Sequence, residues 1–360
     1  MRYRAGIVGC GRIGWKLEDD PNRPKPCTHA GAYASIPNTQ IVAASSRTDK
    51  SLKSFGERFG VDALYTDFNE MLEKENLDLL SVTTNPELHR DIVVKAAECG
   101  VRGILCEKPI SLSLDDADDM IEACRKSGTV LMVMHNRRWN SYYVKAKELL
   151  DLGAIGELVS IFGNCQGCKP SPDWLSDREG PLLHDATHLY DIMRFFAGDI
   201  DSVVGSAEKR KHLHYGVEDT CFSHMRFKNG VSAVALVNER TSYMRFDIEL
   251  QGSDGKILLG PDAEMWQVVP SKRAAGFREL EKVEFPKPER EANVYMDAIG
   301  ELIHCVETGE PSRSTGEDGR AALEAIMAIY ESQRRGNSPV QLPLGVRESL
   351  LLALRRENRL

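Results

Sequence analysis

Six residues near the N-terminus, Gly9-Cys10-Gly11-Arg12-Ile13-Gly14, restrict what this chain can fold into more than any other stretch. They follow an apolar run at residues 4–9 that reads as a β-strand. In a strand–turn–helix of this spacing the first glycine permits a tight turn and the second a close backbone approach to a pyrophosphate. The third allows close packing of helix on strand, and the phosphates rest on helix N-terminal N–H groups. Alone the pattern is weak, since glycines also make ordinary turns. Its place in a first βα turn gives it weight. The helix it should open is interrupted at once, because Pro21, Pro24 and Pro26 follow and proline is excluded from helix interiors. A helical pattern resumes at residues 28–37. Residues 15–28 therefore read as an insertion behind the phosphate turn, either a lid over a ligand or a plain surface loop.

The first 135 residues alternate short apolar runs with helical patterns. Strands are expected at 4–9, 41–45, 77–84, 103–108 and 130–135, each nearly continuous in apolar residues, as parallel strands covered on both faces are. Among the helices between them, residues 113–128 carry Ser113 as N-cap, acids in the first turns and Gly128 just past the end. This alternation predicts an α/β doubly wound parallel sheet of the Rossmann type, over residues 1–137. From 138 to 345 the pattern changes to longer strands with hairpin turns at Lys228-Asn229-Gly230 and Ser253-Asp254-Gly255. That predicts a C-terminal α/β domain with a large, open, mainly antiparallel sheet. The tail, 346–360, is amphipathic and should pack on this subunit or a neighbour.

Bulk composition excludes several functions. With 46 Lys and Arg against 54 Asp and Glu, the net charge is −8, which argues against a nucleic-acid partner. No apolar run is long enough to cross a bilayer, and the N-terminus enters a strand without an apolar leader. Nine cysteines scattered through strands and helices suit reduced thiols. The expectation is a cytoplasmic protein. Cys165 and Cys168 form a lone CxxC with no second pair, so coincidence outweighs zinc or redox chemistry.

At the end of the second strand an acid would bind the adenosine ribose hydroxyls and repel a 2′-phosphate. This chain has Ser45-Ser46-Arg47 instead. Small hydroxyls and a guanidinium suit a phosphate dianion, so NADP(H) is favoured over NAD(H). Lys108, in "EKP", falls at the C-terminal end of the strand expected at 103–108, the sheet edge where ligands of such folds bind, and Pro109 fixes the chain just after it. Asn136, Arg137 and Arg138 lie at the end of the strand expected at 130–135. They would bind cofactor or substrate, or tie domains together by salt bridges. In residues 180–198 helical spacing places His184, His188 and Asp191 on one face, with Asp185 one turn before His188. Histidine is the natural general acid/base near neutrality. Two histidines at i, i+4 also suit zinc, but the helper glutamate of HExxH and a third ligand are lacking, so no metal is expected.

These pieces together resemble the Gfo/Idh/MocA family (glucose–fructose oxidoreductase, inositol dehydrogenase, rhizopine catabolism). The markers are "GIVGCGRIG", "TTNPELH" (83–89), "EKP" (107–109), "NRR", "HDATHLYD", "VEDTCFSHMRFKNG" (217–230) and "GEDGRAALEAIMAIYES" (316–332). The resemblance implies Lys108 as the catalytic lysine and His188 as the matching histidine. It also implies Thr84, Asn85, His89, Glu107 and Pro109 near the cofactor, and a sheet that makes a homodimer or homotetramer. Where the family commonly has an Asp four residues before the histidine, this chain has His184, with Asp185 one place off.

The resulting expectation is a reversible hydride transfer between nicotinamide and a carbinol carbon of a sugar, inositol or related polyol. Lys108 would stabilise charge on the reacting oxygen, and His188, oriented by Asp185 or Asp191, would take the proton, with His184 a further catalytic candidate. Substrate contacts are expected from Lys108, Arg137, Arg138, His184 and His188, with Lys169 hinting at an acidic group. Two other readings use the same residues: a redox-neutral hydrolase or lyase, and a non-catalytic NAD(P)-binding regulator.

Overall fold

The computed structural model describes residues 2–167, 179–211, 215–273 and 275–360. Cys168 and Lys169 lie outside the described residues. The chain forms two compact units, Met1–Trp139 with Ala292–Arg320, and Asn140–Glu291 with Ala321–Leu360. No described helix is long and apolar enough to cross a membrane.

In the first unit six strands, β1 (Tyr3–Val8), β2 (Thr39–Ser45), β3 (Ala63–Tyr65), β4 (Leu79–Val82), β5 (Gly103–Cys106) and β6 (Val130–Val133), make one sheet in the order β3-β2-β1-β4-β5-β6. All of its pairings are parallel. Every residue of β4 and β5 is buried, because the connecting helices cover both faces and an apolar run is the pattern that such strands need. Helix Leu114–Ser127 is bounded as its sequence predicts: Ser113 Oγ accepts from the Asp116 N–H, and Gly128 closes the helix at φ 75°. The sequence expectation placed residues 138–345 in the second domain, but residues 292–320 belong to the first compact unit. The cause is packing: Leu302 and Val306 of helix Val294–Thr308 press on Gly103 so closely that a Cβ there would lie 3.0 and 2.8 Å from them.

The insertion has a definite construction. Ile13 and Gly14 carbonyls accept N–H groups from His29 (3.3 Å) and Ala30 (3.0 Å), so the hydrogen-bond ladder of the first helix skips from the glycine turn to His29–Ser35. Residues 15–28 leave and rejoin the helix without disturbing it. They are also anchored. Trp15 is buried, donates its indole N–H to the Cys10 carbonyl at 3.1 Å and meets Phe55 and Phe59 edge-on. Glu18 accepts from the Cys27 N–H and the Thr28 hydroxyl, both at 2.7 Å.

The second unit carries nine strands: β7 (Leu158–Gln166), β8 (Ile200–Glu208), β9 (Thr220–Phe227), β10 (Ser232–Asn238), β11 (Arg245–Gly252), β12 (Gly255–Leu259), β13 (Ala263–Pro270), β14 (Arg278–Val283) and β15 (Val340–Gln341). Their order is β14-β13-β12-β11-β7-β10-β9-β8-β15. Among the described residues of this sheet, only β7 and β10 pair in parallel. The expected turns are present, with Gly230 at φ 93° between β9 and β10. One face is covered: helix Thr187–Ala197 sits so near β7 that a Cβ on Gly163 would lie 2.3 Å from Met193. On the opposite face Phe162 and Phe222 are about half exposed. The tail forms helix Leu350–Arg356, whose Leu350, Leu351 and Leu354 are buried within this chain.

Candidate active site

The glycine turn stands where β1 meets β2 on one side and β4 on the other, the point of the sheet at which the strand order reverses and where ligands of such folds bind. Gly9 has φ +109°, and a Cβ there would lie 2.6 Å from the Thr83 carbonyl group, so no other residue fits without strain. Its N–H donates to the Ser45 carbonyl at 2.8 Å. A Cβ on Gly14 would strike the Gly9 carbonyl oxygen at 2.2 Å, whereas one on Gly11 would meet nothing. Gly11 is thus bare for an incoming group rather than for packing.

A cleft of about 290 Å³ opens over this turn, lined by Gly9, Gly11, Ser46, Arg47, Thr84 and Asn85 among others. The buried Thr84 Oγ1 has no hydrogen-bond partner among the described residues, and a bound polar group would satisfy it. A bare glycine, an orphaned hydroxyl and a cation at the rim fit the phosphates and ribose of a dinucleotide. Sequence reasoning missed Lys16, Ser51, Thr66 and Phe68, which also line the cleft; they carry no motif and arrive there only through folding. Arg12 is exposed and lies outside this lining, and Ile13 contributes its carbonyl to the helix ladder. A larger hollow of about 720 Å³ lies at the β3 edge, but Asp49, Glu57, Asp62 and Glu70 line it and repel phosphate.

Lys108 follows β5, on the same C-terminal edge of the sheet, and its bond to Pro109 is cis. Beneath it runs a buried polar chain. Glu107 Oε2 accepts the Lys108 N–H at 3.2 Å, and Glu107 Oε1 lies 3.1 Å from His29 Nε2. His29 Nδ1 in turn lies 2.9 Å from Ser81 Oγ. Burial pushes the Glu107 carboxyl up, but the His29 hydrogen bond and charge, with the Lys108 charge and N–H, outweigh it and hold the group below its ordinary value. His29 was not singled out in the sequence, because the insertion separates it from the glycine turn.

His89 is fully buried. One ring nitrogen faces the Pro109 and Ile110 carbonyls at 3.1 and 3.2 Å, and the other faces the Thr84 carbonyl at 3.1 Å. It clamps the turn after β4 to the turn after β5 and acts on the cleft through Thr84. Arg138 is also a correction. It is buried, and its guanidinium donates to the Arg313 carbonyl and to Asp318 at 3.1 Å. That makes it an internal pin rather than a substrate contact. Arg137 is half-buried, its Nη1 3.4 Å from Asn136 Oδ1.

In the second unit the expected single helix over 180–198 is broken. Pro181–His184 forms one turn and Thr187–Ala197 the next helix, with Asp185 and Ala186 between. His184 and His188 therefore sit on two elements, not on one continuous face. His184 Nδ1 lies 2.8 Å from Glu179, which the sequence did not flag, and its Nε2 lies 3.9 Å from Asp185. Asp191 is fully buried. Glu218, also fully buried, holds this segment from below. It accepts from the Leu182 N–H and from the Tyr330 hydroxyl, each at 3.0 Å. Burial pushes its carboxyl up to about 7, against the lowering effect of those donors. A Cβ on Gly180 would lie 2.5 Å from the Glu218 carboxylate, so a larger residue there would push that carboxylate aside.

A parallel sheet with a ligand cleft at its point of reversal, and a lysine on the same edge, defines a dinucleotide-dependent oxidoreductase. Residues 3–135 match the family described as "Oxidoreductase family, NAD-binding Rossmann fold", and residues 143–258 match the GFO/IDH/MocA C-terminal domain. The chain belongs to the Gfo/Idh/MocA oxidoreductase family. Myo-inositol 2-dehydrogenase of Thermotoga maritima is 29% identical over 336 residues, covering 89% of this chain and 93% of that protein. D-Apiose dehydrogenase of Paraburkholderia graminis is 28% identical over 355 residues, covering 94% and 89%. The solved aldose–aldose oxidoreductase of Caulobacter crescentus, complexed with glycerol, shares the fold at a TM-score of 0.79 and 22% identity, over 95% of this chain and 100% of that one.

Proposed function

We propose that the protein is a dehydrogenase preferring NADP(H) that oxidises a carbinol carbon of a sugar, inositol or related polyol. The observation that carries this reading is the cleft over Gly9 and Gly11 sharing one sheet edge with Lys108. Relatives named for inositol and apiose support the substrate class. The 2′-phosphate preference rests on Ser46 and Arg47 in the cleft wall, where an acid would favour an unphosphorylated ribose. Gly9, Gly11, Thr84 and Asn85 would hold the dinucleotide, which supplies a hydride acceptor when bound. Lys108 donates a hydrogen bond to the reacting oxygen and stabilises charge building on it. His188 takes the hydroxyl proton. Absorbance screening of sugars, inositols and sugar acids with NAD⁺ and NADP⁺ in parallel tests this. Lys108→Ala should abolish turnover while dinucleotide binding persists; unchanged turnover would remove Lys108 from the reaction.

We further propose that two copies pair through the uncovered face of the nine-stranded sheet, in a reducing, cytoplasmic setting. On that face Phe162 neighbours Val234 and Phe222 neighbours Leu236 in register, a contiguous apolar patch of the kind that marks an interface. Phe222→Glu should yield a monomer in light scattering. An assembly unaffected by that charge would place the interface elsewhere.

A further inference from the structure

We propose that Lys16, the first charged residue of the insertion, binds the adenosine 2′-phosphate beside Arg47 and thereby sets dinucleotide preference. The inference deepens the NADP(H) reading above and rests on it. Lys16 lines the same cleft as Gly11, Ser46 and Arg47. Its backbone is fixed on the phosphate turn itself, since the Lys16 N–H donates to the Gly11 carbonyl at 3.2 Å. Trp15, one residue earlier, anchors that backbone in the core.

The surrounding charges are engaged and these two are not. Glu18 is occupied by the Cys27 N–H and the Thr28 hydroxyl. Asp19 pairs with Arg58 at 3.9 Å, and Asp20 with Arg23 at 3.1 Å. Neither Lys16 nor Arg47 has a hydrogen-bonding or ion-pair partner for its side chain among the described residues. Two like charges lining one cleft repel each other unless an anion joins them. A phosphate dianion supplies that anion, and hydroxyls such as Ser46 complete its coordination. Burial pushes the Cys10 thiol up to about 12, and the charge acting against this is Lys16. Cys10 Sγ reaches the Ser45 carbonyl at 3.8 Å, and Ser45, Ser46 and Arg47 at the end of β2 line the same cleft as Lys16, where the adenosine ribose is bound in folds of this kind.

The test is calorimetric titration of the full chain with adenosine 2′,5′-bisphosphate and with 5′-AMP, for wild type, Lys16→Ala, Lys16→Arg and Arg47→Ala. Lys16 is exposed, so its replacement leaves the fold intact, which a melting curve verifies. Lys16→Ala should weaken the bisphosphate about tenfold, the worth of one charge-assisted contact, and leave 5′-AMP unchanged; Lys16→Arg should restore most of the loss. Equal weakening of both ligands would place Lys16 on the 5′-phosphate and overturn the proposal, as would no change in either. If Arg47→Ala alone removes the bisphosphate advantage, the NADP(H) reading stands and Lys16 falls. If wild type shows no such advantage, both fall together.

Discussion

Replacing Glu218 with glutamine should make the protein's stability less sensitive to pH, in a direction and amount set by the structure. The carboxyl is fully buried, with the Leu182 N–H and the Tyr330 hydroxyl as donors and Asp219 as a nearby like charge. Burial holds it at about 7, against an ordinary 4.5, a difference of 2.5. At 1.36 kcal/mol per pH unit this is roughly 3 kcal/mol. The group is an acid whose folded value is raised. Its contribution is therefore fully present below pH 4.5 and is lost as pH rises through 7. Roughly 2 kcal/mol of the loss should fall between pH 5.5 and 8. Glutamine keeps the oxygen that accepts from Leu182 and cannot ionise. Urea unfolding of wild type and Glu218→Gln at those two pH values measures the effect. The variant should gain about 2 kcal/mol relative to wild type on going from pH 5.5 to 8. A difference that stays constant across that range would show that the Leu182 and Tyr330 donors fully offset the loss of water, and would refute the reasoning.

Gly9→Ala should weaken dinucleotide binding at least about tenfold, because its φ of +109° and the Thr83 carbonyl group 2.6 Å away force the turn to open; fluorescence titration reads this. Trp15→Ala should destabilise the first unit by about 3–5 kcal/mol, the usual range for a buried aromatic removed from a core, seen as a lowered urea midpoint. Arg138→Met should lower stability by about 1–3 kcal/mol through the lost bonds to the Arg313 carbonyl and to Asp318 while leaving substrate KM unaltered; a raised KM with unchanged stability would return Arg138 to the substrate site.

Local signals in the sequence sufficed for much of this fold. The buried strands announced themselves as apolar runs, and Ser113 and Gly128 bounded their helix, because caps and turns depend on neighbours only a few residues away. Gly9 and Lys108 were legible for the same reason. What could not be read depended on distant partners. Nothing in residues 15–28 says that Trp15 would find Phe55 and Phe59, so the anchored insertion read equally as a lid or as a surface loop. Arg138 resembled a ligand-edge cation until Asp318, 180 residues later, claimed it. The helical spacing of His184 and His188 was real, but the segment breaks at Asp185 and Ala186, and its first turn is tied at Leu182 to Glu218, a partner outside its periodicity. Helix Val294–Thr308 likewise follows the second unit in sequence and packs on the first.

The parallel pairing of β7 with β10 bears on how the second unit assembles. β8 to β10 are joined as an up-and-down ribbon, and β11 to β14 as another, each able to zip from its own turns. β7 alone lies between them, bonded to β10 on one edge and β11 on the other. It is the earliest of these strands to leave the ribosome, yet both its neighbours come much later in the chain. Its two ladders are therefore the contacts that join one ribbon to the other, and each closes a far longer loop than any hairpin in the sheet.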